Sequence, residues 1–279
     1  MKFSRAVNLS RPRFWIYELG TYALGVCAGV VGGGDGYSVS VFLYGLFFLF
    51  PANLLIYGIN DVFDYETDIL NPKKTGYEDV LAPSLHTSVY KYILLTNSVF
   101  VILALFIPLK AFGALCLFYF FAFFYSAPPI RAKARPLLDS LFSAGHYVVT
   151  GVFGFYITTA EHVNLFFVCA GMCWAVAMHA YSAVPDINAD KLSNLETIAT
   201  RLGKHKTIVL CALLYILAAI CVFPYFSYAV FLLALPYAAL MYVSYNANEE
   251  KLFRVYTYFP KINTLVGMAL FFLVLFKIL

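Results

Sequence analysis

Apolar residues run through this chain in long blocks, and polar residues collect between them. A helix needs about 20 apolar residues to cross the hydrocarbon core of a bilayer. Blocks of about that length recur from one end of the sequence to the other. They predict helical spans at 14–31, 39–59, 89–107, 111–127, 137–159, 163–184, 207–223, 227–245 and 259–279. Only the 108–110 turn separates the third block from the fourth. The expected fold is an all-α polytopic membrane protein, with about nine transmembrane helices around a central cavity. The blocks are continuous, so one transmembrane domain over residues 1–279 is expected.

Composition narrows the class. Hydrophobic residues make up 62% of the chain and charged residues 12%, where a soluble domain carries about 25% charged. A membrane β-barrel would instead show short alternating segments. The six cysteines all fall inside apolar blocks, so they read as packing residues and not as a disulfide frame or zinc site. Basic residues precede the first block, as in a leader peptide. No small-residue cleavage site follows, and the block reads as a retained span.

Charge supplies orientation. Lys2, Arg5, Arg11, Arg13, Lys73, Lys74, Lys91, Arg131, Lys133, Arg135, Lys191, Arg201, Lys204, Lys206, Lys251, Arg254 and Lys261 fall on one side of the predicted spans, and Lys110 and Lys277 on the other. By the positive-inside rule the first side is cytoplasmic. The N-terminus is expected there and the C-terminus outside, in a multi-pass cell-membrane protein. The long connections 62–88, 128–136 and 185–206 are on the basic side, which makes that side the working face. Nothing in the pattern calls for a nucleic-acid partner.

Two acidic clusters sit at that face. Asp61, Asp64 and Asp68 follow the second block at i, i+3, i+7, a spacing that puts them on one face of a helix. Asn53, Tyr57 and Asn60 extend roughly the same face toward the membrane and, like Tyr125 before the Pro-Pro pair, are candidate substrate contacts. Asp186 and Asp190 end the sixth block at i, i+4. The two clusters stand four spans apart, which hints at a duplicated four-helix unit. Acids at a helix C-terminus face the wrong end of the helix dipole, and five together repel one another without a counter-ion. Magnesium prefers few carboxylates together with substrate phosphate oxygens, so the clusters read as a metal and diphosphate site. Most basic residues nearby serve as lipid-headgroup contacts. Arg131 and Lys133 differ, because Tyr125-Ser-Ala-Pro-Pro gives them a rigid lead-in. Lys73, Lys191 and Arg201 are further candidate diphosphate partners. His146 suits helix–helix hydrogen bonding, while His179 and Tyr181 precede the second cluster and are candidates to line the cavity. Most aromatic residues, 19% of the chain with Trp included, read as lipid-facing bulk. Those turned inward would suit a carbocation. A transporter would carry its acids near the midplane, not at one surface.

Asn60-Asp61-x-x-Asp64-x-x-x-Asp68 and Asp186-x-x-x-Asp190 resemble the two aspartate-rich motifs of the UbiA superfamily of intramembrane prenyltransferases. The resemblance covers nearly the whole chain. It implies magnesium-dependent transfer of a prenyl group from an allylic diphosphate to a hydrophobic acceptor drawn from the bilayer. It also implies a helical bundle around a central cavity. The stretches from Tyr125 to Ser140 and from His179 to Asp190, with Asn71-Pro72-Lys73-Lys74, are similar to the lycopene elongase branch, which adds five-carbon units to lycopene. That branch implies dimethylallyl diphosphate as donor. Pro185, and the run Thr75-Gly76-Tyr77-Glu78-Asp79, depart from the quinone-pathway pattern. A quinone precursor or a lipid is the alternative acceptor.

Overall fold

The computed structural model describes residues 1–69 and 80–276, leaving out the side chain of Thr67. The described chain is helical: α1 Phe3–Leu9, α2 Trp15–Val31, α3 Val39–Leu49, α4 Pro51–Phe63, α5 Tyr65–Asp68, α6 His86–Leu103, α7 Leu109–Ser126, α8 Leu138–Tyr156, α9 Leu165–Ala183, α10 Ile187–Leu192, α11 Ile198–Leu202, α12 Lys204–Phe226, α13 Ala229–Asn246, α14 Glu249–Tyr256 and α15 Phe259–Phe276. Among the described residues, eight helices are long and apolar enough to cross a membrane. The expected fifth span is present as α8, 19 residues long, but it is not one of those eight. Its apolar run is diluted by Asp139, Ser140, Ser143, His146 and Thr150.

The second block departs from the simple pattern. It forms two helices that meet at Phe50, whose φ of −124° and ψ of −58° are not helical. Pro51 is the cause, since it has no N–H to continue the ladder and its ring displaces the carbonyl one turn back. Asn53 repairs the break: its side-chain amide donates to the Phe48 and Leu49 carbonyls at 2.8 and 3.2 Å.

The chain divides into two compact units. The first comprises Met1–Ala132 and Val149–Glu161. Here α2 lies against the C-terminal part of α8 at backbone distance. A Cβ on Gly25 would fall on the Gly151 carbonyl oxygen and within 3.0 Å of Phe155 N. A Cβ on Gly154 would reach 3.0 Å from Val26 N and closer to the Tyr22 carbonyl. Small residues at such crossings let membrane helices meet along their backbones. Beside this seam, Tyr44, Phe47, Phe48, Phe118 and Phe153 pack as one buried aromatic cluster, with Tyr44–Phe153 and Phe47–Phe48 centroids 4.8 Å apart. Phe118 is thus part of the core, while Phe120 and Phe123 of the same run are exposed.

The second unit comprises Lys133–Val148 and His162–Leu279. In it α9 packs on α12, and α12 on α13. Hydrogen bonds join α9, α13 and α15: Trp174 Nε1 donates to the Tyr237 hydroxyl at 3.0 Å, which donates to Asn263 Oδ1 at 2.8 Å. Tyr215 stacks on Tyr237 at 4.2 Å. All six cysteines are free thiols.

Candidate active site

The first acidic motif lies in the first unit. The i, i+3, i+7 pattern predicts one unbroken helix through Asp68, but α4 ends at Phe63. Asp64 takes φ −106° and ψ 2°, and a short α5 follows. The backbone stays compact across the break. Asp64 N–H donates to the Asn60 carbonyl at 3.0 Å, and Asp68 N–H to the Asp64 carbonyl at 2.8 Å. Asp61, Asp64 and Asp68 are all buried, at 3%, 1% and 7% exposure.

Buried carboxylates need cations or donors. Arg11 Nη2 lies 2.8 Å from Asp61 Oδ1. The same guanidinium covers the Tyr57 ring, 4.6 Å from its centroid. Arg131 Nη2 stands 4.0 Å from Asp64 Oδ1, and its side chain is 42% exposed. Arg131 holds a left-handed backbone, φ 43°, with its N–H on the Ala127 carbonyl at 2.9 Å. Asn60 Oδ1 accepts from Ser126 Oγ at 3.2 Å, and half-buried Tyr125 is the preceding residue in the last turn of α7. The structure therefore brings Asn60, the three aspartates, Tyr57 and Arg131 to one end of α4. Asn53 sits deeper, with its amide committed to the Pro51 kink. Lys73 lies outside the described residues.

The second motif lies in the second unit. Val184–Asp186 is a 3-10 turn, α10 follows, and Asp186 and Asp190 are both half-buried. Leu195 N–H donates to the Asp190 carbonyl at 2.8 Å. Lys133 is buried at 9% exposure, whereas Lys191 and Arg201 are exposed. His146 is buried as expected of a packing residue, at 2% exposure. His179 Nε2 is 3.9 Å from Asp139 Oδ2. Tyr181 is fully buried, and its hydroxyl shares a 2.8 Å hydrogen bond with Ser244 Oγ. Asn53 and Tyr181, read from sequence as substrate contacts, thus both have packing roles.

Among the described residues no three His, Cys, Asp or Glu side chains form a ready metal cage. The donor chemistry nonetheless fits magnesium. Both motifs offer hard oxygen donors, and magnesium takes one or two carboxylates and completes its shell with water and phosphate. Three further residues carry roles that the sequence pattern does not assign. Arg11 is, in the sequence, one of many basic residues that mark sidedness. Asp139 is fully buried and accepts the Ile198 N–H at 2.8 Å. Glu18, 1% exposed, accepts from Thr150 Oγ1 at 2.7 Å. The available signal for the two acids was an ionisable residue within a predicted span.

The UbiA prenyltransferase family pattern matches residues 19–275. The chain belongs to the UbiA prenyltransferase family. The resemblance carried by the two aspartate motifs is borne out. As a UbiA prenyltransferase, the chain is an integral membrane enzyme that transfers prenyl groups. It is 38% identical over 262 residues to a protein of Halobacterium salinarum named lycopene elongase/hydratase, a match covering 94% of this chain and 93% of that one. A protein of the same name from Haloferax volcanii is 36% identical, covering 94% of this chain and 85% of that one. The fold is similar to a UbiA homologue from Archaeoglobus fulgidus solved with DMAPP and Mg2+, with a TM-score of 0.69 at 19% identity over 95% of this chain and 98% of that one.

Proposed function

We propose that this UbiA enzyme transfers the prenyl group of dimethylallyl diphosphate to lycopene or a closely related carotenoid. Asp61, Asp64, Asp68, Asp186 and Asp190 are its magnesium ligands. The observation that carries this reading is the burial of three first-motif carboxylates beside two arginines. Buried carboxylates with cationic partners at the end of an apolar helix suit a metal and a diphosphate. The 38% identity to a relative named lycopene elongase/hydratase supports the carotenoid acceptor.

Magnesium, when bound, neutralises charge on the leaving diphosphate and so favours ionisation of the allylic C–O bond. The protein's own residues supply the rest. Arg131 and Lys133 offer charge-assisted hydrogen bonds to phosphate oxygens, and Asn60 orients the first motif or binds a phosphate oxygen. Lys191 and Arg201, and Lys73 outside the described residues, are further cationic partners for the diphosphate in this reading. Tyr57, Tyr125 and His179 are further candidate substrate contacts in this reading. The acceptor alkene forms the new C–C bond with the allylic cation, while the diphosphate leaves with the C–O electron pair. The resulting tertiary cation either loses a proton or captures water and then loses a proton. The basic face is cytoplasmic, with the N-terminus on it, and residues 1–279 act as one prenyltransferase domain.

Membranes containing the enzyme, given labelled dimethylallyl diphosphate and separate acceptors, test this reading. Label entering lycopene, and not a quinone precursor such as 4-hydroxybenzoate, is expected. Label entering the quinone precursor alone would move the enzyme to the quinone branch.

A further inference from the structure

Asp139 lies in the first turn of α8 with no exposed surface. A carboxylate at such a position is costly unless its partners are fixed. Its Oδ2 accepts the N–H of Ile198, the first residue of α11, at 2.8 Å. The same oxygen lies 3.9 Å from His179 Nε2 on α9. These two contacts bracket the second acidic motif. His179 precedes Asp186 and Asp190 in the chain, and Ile198 follows them. The stretch between carries one long-range bond, Asn188 Nδ2 to Glu249 Oε1 at 3.0 Å near its start, and short-range bonds toward its end. Thr197 and Thr200 form a reciprocal capping box on α11. Leu195 N–H bonds the Asp190 carbonyl. Short helices such as α10 and α11, of six and five residues, do not stand alone in water and take their position from tertiary contacts.

We infer that Asp139 is a positioning residue: one buried carboxylate, bonded to Ile198 N–H and facing His179, holds the segment that carries Asp186 and Asp190. The inference rests on the reading that these two aspartates bind the metal–diphosphate group. The bond from Ile198 N–H to Asp139 fixes the chain just after the motif. Its loss loosens the downstream end of the motif, and with it the register of Asp190 through Leu195. Asparagine keeps a carbonyl that can accept the Ile198 N–H, whereas alanine does not.

The test uses the full-length protein in detergent, with hydrogen exchange over residues 187–198 and binding of Mn2+ in the presence of inorganic diphosphate. Asp139→Ala should speed exchange in that segment by about tenfold or more, leave α12 and α13 unchanged, and weaken Mn2+ binding by about tenfold. Asp139→Asn should restore exchange to within about threefold of wild type. Wild-type exchange in a folded Asp139→Ala protein would overturn the inference, as would an Asn variant as loose as the Ala variant. If Asp139→Ala does not fold, His179→Ala decides: faster exchange confined to 187–198 supports the latch, and unchanged or global exchange overturns it. Asp186→Ala separates the two readings, because wild-type Mn2+ binding in that variant would sink the metal assignment and leave the exchange result standing.

Discussion

Asp61→Ala and Asp186→Ala should each lower turnover by roughly a thousandfold, with the protein still inserted and helical. Each acid stands in a different motif, so loss at both would show that neither motif suffices alone. The argument is electrostatic. A leaving diphosphate builds up charge that its binding groups must balance, and in the buried surroundings of Asp61 each missing partner is felt strongly. Asp61 also neutralises Arg11, 2.8 Å away. Its removal leaves a guanidinium beside the site that can take a phosphate oxygen, but cannot hold a divalent ion. Steady-state rates in membranes, normalised to protein amount, check the prediction. Asp61→Asn controls for packing, because it keeps the shape and removes the charge. Full activity in Asp61→Ala or Asp186→Ala would contradict the metal assignment.

Chelation of divalent metal should stop the wild-type reaction, and added Mg2+ should restore it. The donors in the two motifs are carboxylates and a carboxamide, oxygen ligands that suit magnesium or manganese. Calcium is larger and takes more ligands at longer distance, so it should restore far less. Rates after EDTA treatment and metal addition measure this directly. Turnover that survives exhaustive chelation would mean that Arg11, Arg131 and Lys133 alone carry the diphosphate.

Much of the architecture is written in the apolar blocks, because length and hydropathy are what a bilayer selects. Structure and pattern part where one residue changes the local physics. Pro51 splits the second block, and Asn53, read as a substrate contact, is drawn into mending the split. Asp64 ends α4 although the acidic periodicity runs on without a mark. Spacing along a helix says which residues share a face, but not where the helix stops. The paired aspartates are visible because several like charges at the ends of apolar blocks demand an explanation. Arg11 was hidden among many basic residues that serve sidedness, and its pairing with Asp61 joins residues far apart in sequence. Asp139 and Glu18 are single acids in apolar surroundings. Their roles depend on Ile198 and Thr150, and no local pattern names those partners. Tyr181 similarly sits near the second motif in sequence, yet its hydroxyl bonds Ser244.

Product mass in a lycopene-making host tests the central claim most directly. Cells carrying the wild-type chain are compared with cells carrying Asp64→Ala at equal membrane abundance. The account predicts pigments heavier than lycopene by one or two five-carbon units, with or without added water, in the wild type alone. Unchanged lycopene in both cultures, with the enzyme present in the membrane, would contradict the carotenoid acceptor.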